Sequence, residues 1–214
     1  MASPDRDDEA GGHYFAPQPA TPSAPATVRL ELPEGTFRLN VDRGVFSNGR
    51  VDPGTRILLR DGPRPRPDGT LVDLGCGYGP IAVTLALRSP GAEVLAVDVN
   101  ERALELCRQN AASVGVSLTV GNESDVPAEL SVDELWSNPP IRIGKAALHE
   151  LLARWLARLS ENGRAVLVVQ RNLGADSLAS WLAQEGWHVS RLASRKGYRL
   201  LQVTRSAEAF DHRR

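Results

Sequence analysis

The stretch that decides the fold is Val72-Asp73-Leu74-Gly75-Cys76-Gly77-Tyr78-Gly79, followed at once by Pro80. An apolar strand pattern over 70–74 leads into three glycines spaced G-x-G-x-G, and a helical pattern begins at Pro80. Glycines at such a strand-to-helix turn allow a sharp bend and let a ligand approach main-chain atoms closely. The stretch therefore predicts the first βα unit of a sheet that binds a ligand at its edge.

The type of ligand follows from the residues around this loop. Asp98 closes the second strand pattern, where an acid can bind both hydroxyls of a ribose. A dinucleotide would call for G-x-G-x-x-G and a pyrophosphate over the helix N-terminus, but Pro80 has no N–H to offer a phosphate. The pattern favours a phosphate-free nucleoside cofactor, S-adenosylmethionine, and we expect Asp73 to attract its cationic amino-acid end.

Outward from the loop, strand and helix patterns alternate along the chain. Helices are predicted at 80–88, 101–113 (with Asn100 as N-cap), 145–159 (ended by Asn162-Gly163) and 175–185. Strands are predicted at 70–74, 93–97, 117–120, 132–137, 165–170, 187–192 and 198–204. Repeated βα units predict an α/β fold, a Rossmann-like, mostly parallel sheet of seven strands with a closing antiparallel pair.

The domain organisation can be predicted from composition. Residues 1–26 are rich in Pro, Ala, Gly and Ser, so we expect a disordered tail, with a second tail at 207–214. Residues 27–69 contain two short strands at 27–32 and 36–41, a turn-rich stretch at 44–55 and a proline-rich linker. The S-adenosylmethionine-binding domain itself is expected over 70–206, preceded by this hairpin and cofactor-closing segment.

Charge and cysteine content narrow the setting of the protein. The net charge is -1, yet residues 186–205 carry five basic residues and no acid. This stretch is either a phosphate-binding surface or a solvated strand edge protected against aggregation. No apolar run is long enough for a bilayer, no secretory signal is found, and the only cysteines are Cys76 and Cys107. We expect a cytoplasmic protein without a metal site.

The turn Asn138-Pro139-Pro140 follows the strand predicted at 132–137. Two consecutive prolines make a rigid turn, which can aim the Asn138 side-chain oxygen and the Pro139 carbonyl at one point. An amine there donates both hydrogens to these acceptors, and its lone pair turns toward the methyl donor. We predict that Asn138, Pro139 and Pro140 are catalytic; the alternative is an ordinary turn that ends a strand.

With both motifs in place, the chain resembles the MTS-type methyltransferases, the family of the small-subunit ribosomal RNA guanine-N2 methyltransferase C. The matching phrases lie at 44–55, 71–80, 97–100, 137–145 and 196–199. The resemblance implies a closing segment that contains Asp52. It also implies that S-adenosylmethionine is bound by residues of that segment, the glycine loop and the strand ends: Phe46, Asp73, Gly75, Cys76, Gly77, Gly79, Asp98, Val99, Asp125 and Asn138.

Two of these assignments are open. Asp125 either accepts a hydrogen bond from the adenine amine or is a solvated loop acid. Ile141 stands where many amino-methyltransferases have a Tyr or Phe that stacks on the flipped base, so Phe46 or Trp136 is expected to take that role. The additional N-terminal copy of the fold found in two-domain members is not seen here, so the hairpin, the C-terminal basic strands or a partner must select the RNA.

The preferred function is methylation of a guanine N2 amine in ribosomal RNA, with the RNA or the small ribosomal subunit as partner, no membrane, and a monomeric enzyme. Three alternatives stay open. The same turn serves methylation of a glutamine side-chain amide in translation factors. A ribosome-assembly module with a vestigial pocket would bind without catalysis, and a dinucleotide oxidoreductase fits the glycine spacing least well.

Overall fold

The structure, a computed structural model, describes residues 21–45 and 49–207 of the 214-residue chain. It begins with an antiparallel hairpin of β1 (Ala26–Leu32) and β2 (Gly35–Val41), followed by α1 (Pro53–Asp61). Strands and helices then alternate: β3 (Asp68–Leu74), α2 (Pro80–Arg88), β4 (Gly91–Val97), α3 (Glu101–Val114), β5 (Thr119–Gly121), β6 (Val132–Ser137), α4 (Lys145–Leu156), β7 (Leu159–Gln170), α5 (Ala175–Gln184), β8 (His188–Arg195) and β9 (Tyr198–Thr204).

The seven main strands form one sheet in the order β5-β4-β3-β6-β7-β9-β8. The first five run parallel, whereas β9 is antiparallel to both of its neighbours. The predicted mostly parallel sheet of seven strands and the preceding hairpin are therefore confirmed. Because β3 and β6 are neighbours, the glycine loop and the Asn-Pro-Pro turn leave the same edge of the sheet side by side, at the crevice where parallel sheets bind ligands.

Helices cover both faces of the sheet. On one face, α1, α2, α3 and the hairpin bury a cluster that includes Leu58, Leu71 and Ala82. On the other, α4 and α5 bury Leu152, Trp155 and Leu182. Burial of each such side chain contributes about 2 kcal/mol, so the two layers hold the sheet edge in place.

The hairpin is joined to the glycine loop through one buried side chain, Asn110 of α3. Its Oδ1 accepts the Asn40 N–H at 2.7 Å, and its Nδ2 donates to the carbonyls of Asn40 at 2.9 Å and Tyr78 at 2.8 Å. The amide thus acts like a strand neighbour for β2. This contact positions the segment that follows β2 beside the cofactor loop.

Two parts of the predicted secondary structure are wrong. No helix was predicted in the turn-rich stretch 44–55, yet α1 begins at Pro53 because Asp52 caps it and proline is well suited to the first helical position. The helix predicted to run to 159 ends at Leu156, and Asn162-Gly163 lies inside β7 rather than ending α4. There the register against β6 shifts, since Val132 pairs with Leu159 but Glu134 with Arg164.

The other predicted boundaries differ by a few residues at most, and Asn100 is the N-cap of α3 as predicted. The expected disordered tails fall mainly on residues 1–20 and 208–214, which lie outside the described residues. The domain limits therefore stay a prediction. Within 21–45 and 49–207, no helix is long and apolar enough to cross a bilayer.

Candidate active site

The glycine loop after β3 forms one wall of the site. The N–H groups of Gly75 and Cys76 donate to the Val97 carbonyl at 2.8 and 3.0 Å, which ties the loop to the end of β4. Gly77 has φ +55° and open space where a Cβ would stand. At Gly79, with φ +87°, a Cβ would lie 2.6 Å from Cys107 Sγ, so any side chain would push α2 away from α3. The wall is bare main chain.

Asp98 stands at the end of β4 opposite this loop. Its Oδ2 accepts the Gly77 N–H at 2.8 Å and its Oδ1 accepts the Asn100 N–H at 3.0 Å. Burial raises the pKa of Asp98, and the backbone hydrogen bonds oppose that shift. Each carboxylate oxygen can accept a further hydrogen bond, so the group can receive two hydroxyls while it holds the loop.

Asp73 lies behind the loop and does not line the cavity. Its side chain is fully buried, and Oδ2 accepts the Ala82 N–H at 2.9 Å in the first turn of α2. Its Oδ1 has no hydrogen-bond partner in the described part of the chain. Burial, together with the negative charge of Asp98, raises the pKa of Asp73 to about 8. Its expected contact with the cofactor stays a prediction.

A cavity of about 340 Å³ opens between the glycine loop and the Asn-Pro-Pro turn, a size within the range of small-molecule sites. Of the predicted residues, it is lined by Gly75, Gly77, Asp98, Val99, Asn138, Pro139 and Pro140. Cys76 belongs to a smaller pocket behind the loop, and Gly79 is the N-cap of α2. Phe46, also predicted, lies outside the described residues.

The Asn138 carboxamide is held in one orientation from behind. Its Nδ2 donates to Asp52 Oδ1 at 2.8 Å and to Thr55 Oγ1 at 3.1 Å. Its Oδ1 accepts no hydrogen bond from any described residue. The Pro139 carbonyl accepts the Ile141 N–H at 2.8 Å and keeps its second lone pair. The turn thus has two oxygens with free acceptor capacity on residues that line the cavity.

Asp125 is placed differently from the expectation that it binds adenine. It is exposed, does not line the cavity, and its Oδ2 accepts the Asn122 N–H at 2.9 Å. The reason is a capping box, in which Asn122 and Asp125 close the short helical turn Glu123–Asp125. Glu123 lines the cavity instead, with its carboxylate 3.0 Å from the Arg154 guanidinium.

Trp136 cannot provide the missing aromatic face. Its side chain is fully buried on β6, and Nε1 donates to Glu134 Oε2 at 2.8 Å. The hypothesis that it stacks on the base is therefore wrong. The cavity is lined by Tyr198 instead, a residue of β9 that lies in the matching phrase 196–199 but was given no role there.

Asn100 also lines the cavity, and its second role was missed. Besides capping α3 through Oδ1, its Nδ2 donates to the Gly44 carbonyl at 2.8 Å. The buried amide thereby fastens the segment after β2 to the end of β4. The cap of α3 can be predicted from adjacent residues, whereas the hydrogen bond from Asn100 Nδ2 to the Gly44 carbonyl depends on long-range packing.

The basic stretch 186–205 does not form one free cluster. Arg195 lies 3.7 Å from Asp61, Arg199 lies 3.4 Å from Asp176, and the Arg205 guanidinium covers the Trp187 ring. Other basic residues have no side-chain partner in the described ranges: Arg142, which lines the cavity, and Lys145, Arg171 and Lys196, which are close in sequence to lining residues. Nor do the described residues contain three or more His, Cys, Asp or Glu grouped to hold a metal ion.

Comparison with known proteins decides the family. The methyltransferase small domain family matches residues 36–202. The chain belongs to this family. Membership places it in the predicted class, methyltransferases with S-adenosylmethionine as the methyl donor, and excludes the dinucleotide oxidoreductase.

Several known proteins are similar to this chain in sequence. The uncharacterized protein YbxB of Bacillus subtilis is 33% identical over 195 residues, which are 89% of this chain and 97% of YbxB. Ribosomal RNA small subunit methyltransferase C of Pseudomonas putida is 37% identical, over 65% of this chain and 43% of that protein. Ribosomal RNA large subunit methyltransferase G of Streptomyces avermitilis is 35% identical, over 70% and 43%. The chain thus spans less than half the length of these two ribosomal RNA enzymes.

Among solved structures, the T. thermophilus 16S rRNA N2 methyltransferase, in complex with AdoMet and guanosine, superposes with a TM-score of 0.72. The two are 24% identical, over 88% of this chain and 52% of that one. This likeness confirms the predicted fold class.

The residues present fit S-adenosylmethionine. Asp52, Asp98 and Glu123 give the cavity an acidic lining, which suits a cofactor that carries a sulfonium and an ammonium group. The open space at Gly77 gives a nucleoside access to the main chain. The unpartnered Oδ1 of Asp73 behind this loop is a further polar atom near the bare wall.

Proposed function

We propose that the protein methylates the exocyclic N2 amine of a guanine in ribosomal RNA. The observation that carries this proposal is the orientation of Asn138, whose Nδ2 is committed to Asp52 and Thr55. With the amide nitrogen engaged, only its oxygen is left for a ligand. An acceptor oxygen in that position suits an NH2 donor and does not suit a carbonyl or an ether.

The cofactor half of the cavity is the glycine loop and the end of β4. Asp98 offers the two oxygens that a ribose diol needs, and Val99 beside it is a 45% exposed apolar side chain suited to the face of adenine. Asp52 uses only Oδ1 in its described hydrogen bonds, so Oδ2 is available to an ammonium group. When bound, S-adenosylmethionine supplies a methyl group on a positively charged sulfur.

The chain's own residues prepare the amine for attack. Asn138 Oδ1 and the Pro139 carbonyl accept the two N–H groups, which draws the nitrogen lone pair out of conjugation with the ring and fixes its direction. The same oxygens stabilise the positive charge that develops on nitrogen during transfer. The proton is then lost from the charged product, so no strong general base is required of the site.

Ribosomal RNA as the substrate is supported by two observations. Arg142 lines the cavity, and three more basic residues lie within three sequence positions of lining residues: Lys145, Arg171 and Lys196. Such cations suit the phosphates that flank a splayed base. The related proteins are named ribosomal RNA methyltransferases C and G. Selection of the small subunit, the monomeric state and the cytoplasmic location remain the predictions made from the sequence.

Labelled methyl transfer in three parallel reactions tests the proposal. The full chain and S-adenosylmethionine are incubated with deproteinised ribosomal RNA, with separated ribosomal subunits, and with a ribosome-free protein extract. We expect label in RNA from one of the first two reactions. Label confined to protein would favour glutamine amide methylation, and label in none of them, with the cofactor bound, would favour the non-catalytic assembly module.

A further inference from the structure

The substrate half of the cavity lacks an aromatic residue at the expected place. Ile141 directly follows the Asn-Pro-Pro turn and lines the cavity, but it is aliphatic. A base that has left its stack loses the stacking energy of its neighbours, which an aromatic face can replace. A stacked base in this site therefore requires an aromatic face from another residue.

Tyr198 reaches the cavity from the far end of the chain. It is the first residue of β9, where it pairs with Gln170 of β7, and both residues line the cavity. Its half-buried ring rests on Gly54 at the start of α1, where a Cβ would come 2.9 Å from the ring atom Cε1. Gly54 therefore leaves the space that this ring fills, next to Asp52.

A second apolar side chain, Leu173, lines the same cavity. It belongs to the short turn Arg171–Leu173 after β7, and the Arg171 N–H donates to the Gly197 carbonyl at 2.7 Å, which joins this turn to the start of β9. Leu173 is 46% exposed and lines the cavity. Within the described ranges, the large apolar side chains that are exposed are Val99 and Leu173. Val99 lies in the cofactor half of the cavity and Leu173 in the substrate half.

We propose that Tyr198 is the ring on which the target base stacks, and that Leu173 covers the base from the rim, so that together they replace the aromatic residue absent at Ile141. This inference rests on the proposed function. It assigns recognition of the base to strand β9, whereas the amine is held by the turn after β6. An exposed apolar surface at the mouth of a ligand cavity is what such a contact requires.

The test compares methyl transfer to deproteinised ribosomal RNA by three variants. Tyr198→Leu removes the ring, and its KM for RNA should rise about 5- to 150-fold, the range of base–aromatic stacking. Tyr198→Phe keeps the stacking face and should recover most of that loss. Leu173→Ala, at an exposed site with little effect on folding, should raise KM by a smaller factor. The Kd for S-adenosylmethionine should change less than about 2-fold in Tyr198→Phe and Leu173→Ala, because neither substitution alters Asp98, the glycine loop or the ring that packs on Gly54 beside Asp52.

The outcomes separate the two proposals. If Tyr198→Leu and Leu173→Ala both keep the wild-type KM while the wild type methylates RNA, the stacking assignment is wrong and the proposed function stands. A wild type that methylates no RNA overturns both. A Tyr198→Leu protein with reduced melting temperature and weakened cofactor binding, together with an unaltered KM in Leu173→Ala, would show that the ring serves only to hold α1.

Discussion

Asp52 Oδ1 accepts a hydrogen bond from Asn138 Nδ2 at 2.8 Å, across 86 positions of sequence. The same oxygen accepts the N–H groups of Gly54 at 2.7 Å and Thr55 at 3.1 Å, which begin α1. The cap of a helix in the closing segment is therefore also the group that orients the amide of the Asn-Pro-Pro turn. Formation of α1 and orientation of the Asn138 amide therefore depend on the same carboxylate oxygen.

The first prediction concerns the amide itself. Asn138→Ala removes the acceptor oxygen, and kcat should fall about 100- to 1,000-fold, as for loss of one preorganised transition-state hydrogen bond. The Kd for S-adenosylmethionine should stay within about 3-fold, because Asp98 and the glycine loop are untouched. Single-turnover methylation of RNA and calorimetry with the cofactor measure the two effects.

Thr55 provides a matched pair for the orientation of that amide. Thr55→Val removes Oγ1, the second acceptor of Asn138 Nδ2, and should lower kcat by about 5- to 10-fold, the worth of one hydrogen bond. Thr55→Ser keeps the hydroxyl and should lose much less. Equal activity in the two variants would mean that Asp52 alone orients the amide.

A second prediction separates two acids that the sequence placed in the cofactor site. Asp98→Ala should raise the Kd for S-adenosylmethionine by about 10- to 100-fold, since hydrogen bonds to a charged group are lost. Asp125→Ala should leave it nearly unchanged, because Asp125 is exposed and engaged in a capping box outside the cavity. Isothermal titration of both variants checks this. Comparable losses would place Asp125 at the adenine after all.

The third prediction concerns pH. Burial raises the pKa of Asp73 to about 8, against an ordinary value of 3.8. Between about pH 4 and 8, the folded protein therefore holds a proton that the unfolded chain has already released. The free energy of unfolding should therefore fall as pH rises across this window, by up to about 1.4 kcal/mol per pH unit from this group. Asp73→Asn cannot ionise and should lack this component. Urea unfolding of both proteins at pH 5 to 8 measures the difference; parallel curves would contradict the assignment.

The fourth prediction concerns the basic residues near the cavity that have no side-chain partner in the described ranges. Arg142→Ala and Arg171→Ala should each weaken RNA binding and reduce the slope of log K against log salt by about one, as expected for loss of a phosphate contact. Arg191, in the interior of the edge strand β8 and away from the cavity lining, is the control. Filter binding between 50 and 200 mM salt measures the slopes, and an equal effect of Arg191→Ala would point to the edge strands instead.

The parts of the site that could be predicted are those whose signal is local. The bend at Gly75 to Gly79, the acid that ends β4 and the cap at Asn100 each depend on a few adjacent residues, and the structure has all three. The helix α1 was missed even though an N-cap acid followed by proline is a start signal, because Gly54 and the turn-rich residues before it suggested a loop.

The parts that escaped prediction depend on which strands become neighbours. Tyr198 reaches the cavity only because β9 inserts antiparallel between β7 and β8, and Asp52 meets Asn138 only because α1 packs against β7 and β9. Likewise, Asn162-Gly163 looks like a helix stop, but the pairing of Leu159 with Val132 begins β7 before it. Long-range pairing outweighs local preference at each of these places.

The identity of the methylated nucleoside tests most directly whether Asn138 orients an exocyclic amine of guanine. Ribosomal RNA methylated by the wild-type chain and by Asn138→Ala is digested to nucleosides and analysed by mass spectrometry against standards. If Asn138 orients an exocyclic amine, the wild type yields N2-methylguanosine and the variant yields almost none. A methyl group on a ring nitrogen or on carbon, or an undiminished yield from Asn138→Ala, would contradict the account.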